Sequence, residues 1–314
     1  MTLRILAETD TAALVKLLTN DEIKKTYLLP DFSRQEDAIP LTRRLMALSR
    51  DDTHFVRGME ENGTLVGFLN DVEISDGSIE LGYVVHPEHW NKGYATAALK
   101  LAMRQLFQAG YREVLCGAFE ENPASLRVME KAGMRRIEKT EEIEYRGNVH
   151  RCVYYSLPVL ELVIPSLTEM TFRKELLSDE KTMSYNQAYG GAIGFPEVRW
   201  ETWYRKWIGN ENPQFFYRYL YSPLLDTFVG EAAYHYEAET KRYLCDVIVH
   251  AKYRGQGYGK LGLSLLCEAA KSNGLAEIYD AILLNNPSIH MFLKNGFEPV
   301  GYTADACIVR KKLR

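Results

Sequence analysis

The feature that most constrains this chain is an internal repeat. Residues 82–133 and 246–296 share one order of signals: a Val-His pair, a glycine-bearing loop, an apolar helix pattern, and then an asparagine, a proline and a serine. The loops lie at 91–95 and 255–259, and the asparagine segments lie at 122–125 and 285–288. A single repeat of this length predicts a duplicated domain, because solenoid repeats are far shorter.

The length of the chain, its prolines and a repeated short segment indicate where the two domains lie. With 314 residues, the chain is long for one core and suits two domains of roughly 150 residues each. A strand-like run ends near Pro158, Pro165 follows, and the segment 171–173 (TFR) resembles the opening segment 2–4 (TLR). We therefore predict an N-terminal domain at 1–160 and a C-terminal domain at 166–314.

Composition narrows the class of protein and its environment. The formal net charge is −4, whereas a general nucleic-acid binder carries a basic surplus, so we expect no nucleic-acid partner. No apolar run approaches the roughly 20 residues of a membrane span, so we expect no membrane association. The five cysteines have neither metal-like nor disulfide-like spacing, which predicts buried thiols, no metal site and a cytoplasmic location.

Periodicity within each copy predicts an α/β (α+β) fold. Alternating strand patterns come first, and the last of these leads through the loop into a long amphipathic helix. The predicted strands lie near 2–7, 53–60, 65–74, 79–85, 113–119, 135–145 and 149–157 in the first copy, and near 215–222, 228–236, 243–249 and 277–283 in the second. The long helices are predicted at 95–109 and 259–273. Each copy thus predicts a mixed, mostly antiparallel central sheet flanked by helices.

Each glycine-bearing loop joins a strand end to a helix start and is typical of a phosphate site. Main-chain N–H groups and the helix dipole favour an anion there, and glycine lets the anion approach the backbone. The pattern Gly257-x-Gly259-x-x-Gly262, with Asp280 downstream, also fits a dinucleotide fingerprint. The first copy opposes this alternative, because it has alanines in place of two of these glycines and because such fingerprints usually open a parallel sheet.

Together, the loop, the later Asn-x-x-Ser and the Lys-x-Gly that follows resemble the GNAT superfamily of N-acetyltransferases. The family's loop has the form Gln/Arg-x-x-Gly-x-Gly/Ala, which the second copy matches through Arg254, Gly257 and Gly259. The first copy is similar to the branch that acetylates ribosomal-protein N-termini (the ribosomal-protein-alanine N-acetyltransferases), which commonly has tryptophan where Trp90 stands. The resemblance therefore implies two tandem GNAT-like domains.

The resemblance further implies that acetyl-CoA is the cofactor of each domain. The loop amides would hold its pyrophosphate, the last strand residues would part from the neighbouring strand and pair with the pantetheine arm, and an asparagine would bond near the reactive end. The implied residues are Val84, Val85, Asn91, Lys92, Gly93, Tyr94, Ala95, Thr96 and Asn122 in the first copy, and Ile248, Val249, Arg254, Gly255, Gln256, Gly257, Tyr258, Gly259, Lys260 and Asn285 in the second.

The expected reaction is the attack of a neutral primary amine on the thioester. It needs a base for the ammonium, a donor to the thioester carbonyl and a proton for the departing thiolate. Glu80, on the strand before the first loop, and Asp246, on the equivalent strand of the second copy, are the candidate bases. The resemblance implies that an amide of the parted strand polarises the carbonyl.

Both copies depart from the family at the usual acid. Many members have tyrosine seven residues after the asparagine, where this chain has Met129 and Phe292, and neither can donate a useful proton. Water, Ser125 or Ser288 is the alternative proton source. Helix capping is the other interpretation of the two serines.

The acceptor is expected to be an amine-bearing small molecule or a protein N-terminus. In the second copy, tryptophans and a tyrosine recur at helical spacing over 200–207, which predicts a core-facing stripe or, alternatively, a wall of the acceptor cleft. The alternative function makes one domain a non-catalytic cofactor- or ligand-binding module, with only the other domain active. The chain is expected to be a monomer with an internal pseudo-dimer, or a homodimer.

Overall fold

The computed structural model of the protein describes residues 1–32, 34–209 and 214–313. These residues form two compact units, Met1–Val159 and Leu160–Arg314. Each unit contains one seven-stranded mixed sheet flanked by helices. The predicted fold class and the predicted duplication are therefore confirmed.

Over its described residues, the first unit has seven strands and five α-helices. Its strands are β1 (Thr2–Arg4), β2 (Arg57–Glu61), β3 (Thr64–Ser75), β4 (Ser78–Val85), β5 (Glu113–Phe119), β6 (Arg135–Tyr145) and β7 (Asn148–Pro158). Its α-helices are α1 (Thr11–Leu18), α2 (Asp21–Lys24), α3 (Ile39–Ser49), α4 (Tyr94–Ala109) and α5 (Pro123–Lys131).

The second unit repeats this series. Its strands are β8 (Glu161–Val163), β9 (Phe215–Ser222), β10 (Thr227–Glu237), β11 (Arg242–Val249), β12 (Glu277–Leu283), β13 (Glu298–Tyr302) and β14 (Ala306–Lys312). Its α-helices are α6 (Met170–Ser178), α7 (Trp200–Trp207), α8 (Tyr258–Ser272) and α9 (Ile289–Lys294). Across the described residues, no helix combines the length and the apolar character that crossing a membrane requires.

The two sheets have the same strand order. It is β1-β2-β3-β4-β5-β7-β6 in the first unit and β8-β9-β10-β11-β12-β14-β13 in the second. Among the described strands, β4 with β5 and β11 with β12 are the parallel pairs. A parallel neighbour needs a crossover connection, which α4 supplies in the first unit and α8 in the second.

The N-terminal helices of each unit cover one face of its sheet. In the first unit, Leu14 of α1 and Met46 of α3 share a buried cluster with Phe68 and Val84 of the sheet. In the second unit, Met170 and Leu176 of α6 share a cluster with Tyr217, Tyr219 and Ile248. Val84 and Ile248 therefore point their side chains to the helix-covered face, one residue before their strands end. All five cysteines are buried and unpaired, as predicted.

The opening of the second unit differs from the sequence prediction. The segment 171–173, which resembles strand 2–4, lies inside helix α6. The strand equivalent to β1 is β8, which pairs antiparallel with β9 from Glu161 to Val163. This strand falls in the span left between the predicted domains at 1–160 and 166–314, because a short apolar run beside two prolines resembles a linker in sequence.

Candidate functional site

In each unit the two central parallel strands part and form a fork. The β4–β5 ladder runs from Ser78 opposite Glu113 to Glu80 opposite Leu115. Both strands continue beyond Glu80 and Leu115, and neither pairs with the other there within these described segments. In the second unit, Leu244 opposite Tyr279 is the parallel pair of β11 and β12. Main-chain groups beyond these pairs thus face a gap that a ligand can enter.

The glycine-bearing loops lie at one end of each fork and have the same backbone shape. Asn91 and Gly93 have φ of 61° and 78°, and Gly255 and Gly257 have φ of 75° and 87°. Two left-handed residues separated by one residue turn successive N–H groups toward a common point, a conformation that binds anions. A methyl group placed on Gly93, Gly255 or Gly257 would meet no atom within 4 Å, so the space beside each loop is open.

The first turn of the following helix adds further donors. Ala97 is the first residue of α4 whose N–H bonds back across a full turn, to Gly93 O at 3.0 Å, and Leu261 does the same to Gly257 O at 3.1 Å. The N–H groups of the three preceding residues in each helix therefore have no intrahelical acceptor. These are the residues predicted from sequence to bind the cofactor, namely Tyr94, Ala95 and Thr96, and Tyr258, Gly259 and Lys260.

The side chain just before each loop bonds to the end of the preceding strand. Trp90 Nε1 donates to Val85 O at 2.6 Å, and Arg254 Nε donates to Val249 O at 3.2 Å. The Trp90 indole and the Arg254 guanidinium thus make equivalent hydrogen bonds in the two units. Arg254 also donates to Lys181 O at 3.2 Å. A contact of its side chain with the cofactor stays a prediction.

In the first unit, the asparagine and serine of the motif lie where α5 begins. Asn122 Oδ1 accepts from Ser125 N at 3.2 Å, so Asn122 caps the helix. Ser125 Oγ lies 3.0 Å from the hydroxyl of Tyr83, which comes from β4 beyond its last pair with β5. The structure thus brings a serine and a tyrosine together across the fork. Met129, which stands where many family members have a tyrosine acid, is a fully buried core side chain.

The second unit arranges the same motif differently. Asn286 Oδ1 accepts from Ser288 N at 2.9 Å, so Asn286, and not Asn285, holds the position that Asn122 has in the first unit. Asn285 is exposed. Helix α9 has six residues where α5 has nine. Phe292 is buried against Phe297, and Val247 stands at the place of Tyr83.

The first candidate base, Glu80, lies at the origin of the first fork. Its side chain is 13% exposed, and its Oε2 lies 3.7 Å from Lys139 Nζ. Burial raises the pKa of the Glu80 carboxyl, and the Lys139 charge opposes this shift. Such a carboxylate is a stronger base than an exposed glutamate.

The second candidate base, Asp246, lies on the floor of the second fork. Its surface is exposed to solvent, and protein atoms crowd around its carboxyl group. Burial raises the pKa of Asp246 to about 6, with a further rise from the charge of Glu231 and an opposing effect of Arg173. The neighbouring strand adds Asp280, whose pKa lies well above its ordinary value because of burial and the charge of Asp246.

A buried ion pair supports the helix-covered face beside Asp246. Arg173 of α6 pairs with Glu231 of β10, which is 3% exposed, and donates to Tyr217 OH at 3.0 Å. The guanidinium lies 4.3 Å from the ring centroid of Trp203. Trp203 and Trp207 stack at 5.6 Å. The aromatic stripe of α7 therefore packs on the core, which is the first of the two interpretations of that pattern.

Sequence reasoning missed several residues of these sites. Tyr83 and Asp280 lie in predicted strands, but only the parting of the strands after Glu80 and Leu244 shows that they face a gap. Two glycines, Gly67 of β3 and Gly230 of β10, oppose the parted strands. Their signal in the sequence is a Val-Gly pair inside a strand pattern of both copies, which indicates a bulge or a close backbone approach.

The dinucleotide alternative does not account for the glycines of the second loop. A methyl group on Gly259 would lie 3.0 Å from Met291 Sδ, and one on Gly262 would lie 2.8 Å from Leu220 Cδ1. Both glycines are therefore explained by close packing of α8 on α9 and on the sheet. Asp280 lies on a strand of a mixed sheet, beside Asp246.

Comparison with known protein families gives the same family for both units. The model described as "Acetyltransferase (GNAT) domain" matches residues 1–135, and the model described as "Acetyltransferase (GNAT) family" matches residues 175–297.

Individual relatives are distant. A Bacillus subtilis (strain 168) protein described as the uncharacterized N-acetyltransferase YoaA is 27% identical over 139 residues, which are 43% of this chain and 78% of that protein. A GNAT-family acetyltransferase from Bacillus anthracis is 24% identical with a TM-score of 0.44, covering 50% of this chain and 93% of that one. The Vibrio cholerae spermidine N-acetyltransferase, solved with CoA and spermine, is 20% identical with a TM-score of 0.44, covering 50% and 94%.

Proposed function

The chain belongs to the GNAT family of acetyltransferases in both of its units, and from this premise we propose that each unit transfers an acetyl group from acetyl-CoA to a primary amine by direct attack. The two functional domains are proposed at 1–160 and 166–314, the second extended by β8. The observation that carries the proposal is the pair of loops with left-handed residues, each placed between a parted strand and the start of a helix.

The loops fit the pyrophosphate of coenzyme A. In the first unit the amides of Asn91, Lys92 and Gly93, with the first turn of α4, would hold it. In the second unit the amides of Gly255, Gln256 and Gly257, with the first turn of α8, would do so. The open space at the glycines admits the phosphate, and the helix dipole favours its charge. Tyr258 contributes its amide only, because its hydroxyl lies 3.2 Å from Ser222 Oγ in the interior.

The carboxylates at the forks are proposed to accept the proton of the attacking ammonium. Glu80 does this in the first unit and Asp246 in the second, because both lie where the strands part and both have raised pKa values. A base whose pKa lies nearer to neutrality takes a proton from an amine more effectively than an ordinary carboxylate does.

The departing thiolate is proposed to receive its proton from Ser125 in the first unit. The Tyr83 hydroxyl, 3.0 Å from Ser125 Oγ, fixes that side chain at the fork. In the second unit Ser288 or water is proposed, because Val247 gives no hydroxyl there. Unchanged turnover of Ser125→Ala and Ser288→Ala would exclude the serines.

The second candidate function is that the second unit binds the cofactor without catalysis. It is favoured by the shorter α9 and by its start, which lacks the side-chain cap that Asn122 gives α5. For the active units the proposed acceptors are a protein N-terminus in the first and a small molecule in the second. A cytoplasmic location and the monomeric or homodimeric state stay predictions.

Titration calorimetry of the full chain with coenzyme A tests the proposal. We expect two binding equivalents. Gly93→Val and Gly257→Val should each remove one, because a branched side chain at positive φ distorts the loop and fills the phosphate space. Gly63→Val is the matched control, since Gly63 has φ of 78° and open surroundings in the β2–β3 turn. Binding that survives in the Gly93→Val, Gly257→Val double variant contradicts the proposal. Thiol release with amine acceptors then measures catalysis by each unit.

A further inference from the structure

Lys139 places a positive charge beside the candidate base of the first unit. Its Nζ lies 3.7 Å from Glu80 Oε2, 3.3 Å from Glu141 Oε1 and 4.1 Å from the ring centroid of Tyr154. Tyr154 is buried, and its hydroxyl donates to Glu141 Oε2 at 2.9 Å. Carboxylates and the face of an aromatic ring are groups that bind an ammonium ion. Lys139 therefore fills, with its own ammonium, a place suited to such an ion.

An irregularity of strand β6 brings the lysine to this place. Arg136 pairs with Tyr155 and Thr140 pairs with Val153, so the three residues 137–139 of β6 lie opposite the single residue 154 of β7. Such a bulge turns side chains out of the regular alternation of a strand, and bulges are frequent beside active sites. The direction of the lysine is thus determined by the backbone of the β6–β7 pair.

A glycine of β5 clears the space that the lysine crosses. Strands β5 and β7 separate β4 from β6 in the sheet, and Gly117 of β5 pairs with Tyr154 of β7. A methyl group on Gly117 would lie 2.9 Å from Tyr154 Cε1 and 3.1 Å from Cys152 Sγ. The Tyr154 ring therefore leans over Gly117, and Lys139 reaches Glu80 across the face of that ring.

The corresponding strands of the second unit, all of them described, carry none of these groups. By register, Leu244 takes the place of Glu80 and Ile308 takes the place of Tyr154. Strand β13, the counterpart of β6, contains neither lysine nor arginine. The ammonium that Lys139 supplies is therefore a feature of the first unit alone among these strands.

Charged and titratable groups from several strands surround Glu80. Burial raises the pKa of its carboxyl, the Lys139 charge opposes this shift, and the charges of Glu141 and Glu73 add to it. Burial also raises the pKa values of the neighbouring thiols and phenol, which are therefore uncharged near neutral pH; these groups are Cys116, Cys152 and Tyr154. Lys139 is thus the cation of a group whose other charges are negative.

We propose that Lys139 is a specificity-determining residue of the first unit, whose ammonium fills the place that the second positive charge of a diamine would take. This inference rests on the proposed function, in which Glu80 accepts the proton of the attacking amine. The second charge of a diamine would meet the Lys139 ammonium where it would otherwise meet the Glu141 carboxylate and the Tyr154 ring. Repulsion of this kind discriminates between substrates without any new attractive contact.

Lys139→Met tests the inference in the full chain, in a Gly257→Val background that leaves the first unit active. The ratio of kcat/KM for putrescine to that for butylamine, which share a four-carbon chain, should rise by about fivefold, the effect of one ion pair together with one cation–π contact. Lys139→Arg keeps the charge and should keep the original ratio. Lys100→Met, at an exposed position of α4, is the control for net charge. Equal ratios in Lys139→Met and Lys100→Met overturn the inference.

Short peptides extend the test to an N-terminal acceptor. Two peptides that differ only in lysine or methionine after the first residue replace the diamine and the monoamine, and the same rise in ratio is expected. If Lys139→Met does not fold, Lys139→Gln removes the charge with a polar end and makes the same comparison. No turnover of any amine or peptide by the background chain with Lys139 intact would instead refute the proposed function.

The pH dependence of the rate gives a readout that a merely structural role of Lys139 would not move. Only ionised Glu80 can accept a proton, and loss of a neighbouring positive charge raises the pKa of a carboxyl. The lower break in kcat/KM should therefore move to higher pH in Lys139→Met and stay in place in Lys139→Arg. A break that stays in place in both variants contradicts the position of the Lys139 charge beside the acceptor, and with it the inference.

Discussion

At the scale of single residues, Asp246 makes the second unit sensitive to pH. Burial raises the pKa of its carboxyl to about 6, and only the ionised form can accept a proton. Below that pH the ionised fraction falls about tenfold per unit. In the Gly93→Val background we therefore expect kcat/KM to break downward near pH 6, in addition to the break at higher pH that the acceptor's own ammonium produces.

A pH–rate profile of Asp246→Asn checks this assignment. The variant should lose most of its activity, and its residual rate should lack the break near pH 6. Asp52→Asn, at an exposed position of the first unit, should keep it. A break that persists unchanged in Asp246→Asn would assign the titration to another group.

At the scale of elements, most strands and helices were predictable from the sequence, because the spacing of hydrophobic residues indicates which face of each element is buried. The strands at 113–119, 215–222 and 277–283 have the predicted limits. The segment 171–173, which resembles β1 in sequence, lies in a helix. Three residues carry too little periodicity to choose between strand and helix, and contacts far along the chain decide.

The candidate site was predictable to the extent that it depends on local backbone conformation. The loops 91–95 and 255–259 were predictable because glycine marks positions of positive φ. Asp280 and Tyr83 became site residues only through the parting of strands, which is a tertiary feature. Asn285 is predicted because its spacing to Ser288 matches that of Asn122 to Ser125, and its contact with the cofactor stays a prediction.

The start of α9 gives a test at this scale. Asn286→Ala should lower the free energy of unfolding by about 1 kcal/mol, the usual value of one lost hydrogen bond, because Asn286 Oδ1 accepts from Ser288 N in the turn before α9. Asn285→Ala, at the exposed neighbour, should change it by less than about 0.5 kcal/mol. Denaturant unfolding of the full chain measures both, with Asn122→Ala as the equivalent in the first unit. A larger loss for Asn285→Ala would contradict the assignment of this hydrogen bond to Asn286.

At the scale of the whole molecule, the two units share a backbone but differ in where their carboxylates lie. Glu80 and Leu244 hold equivalent places in the parallel ladders, opposite Leu115 and Tyr279. By the same register, Asp246 replaces Gly82 and Asp280 replaces Cys116. In the first fork Lys139 offsets Glu80, which is also influenced by Glu141 and Glu73, whereas in the second fork Asp246 and Asp280 influence each other across neighbouring strands. The two units therefore share the loops proposed to bind the cofactor, whereas the carboxylates near the proposed acceptor differ.

This difference predicts that the two units accept different amines. With Gly93→Val, only the second unit should turn over, and above about pH 6, where Asp246 is ionised, it should prefer acceptors with a second positive charge, because that carboxylate attracts it. With Gly257→Val, the first unit should show no such preference. Thiol release with matched mono- and diamines and with short peptides measures this, and raising the salt concentration should weaken the preference of the second unit.

The rates of the two backgrounds also decide between the candidate functions. If both units are catalytic and independent, the rate of the unsubstituted chain with each acceptor should equal the sum of the two single-unit rates. The same acceptor ranking in both backgrounds would contradict the prediction that the two units accept different amines. A second unit that still binds one equivalent of coenzyme but acetylates no amine would be the binding module instead. Its pair of carboxylates would then serve recognition, because a base without an attacking amine has no proton to remove.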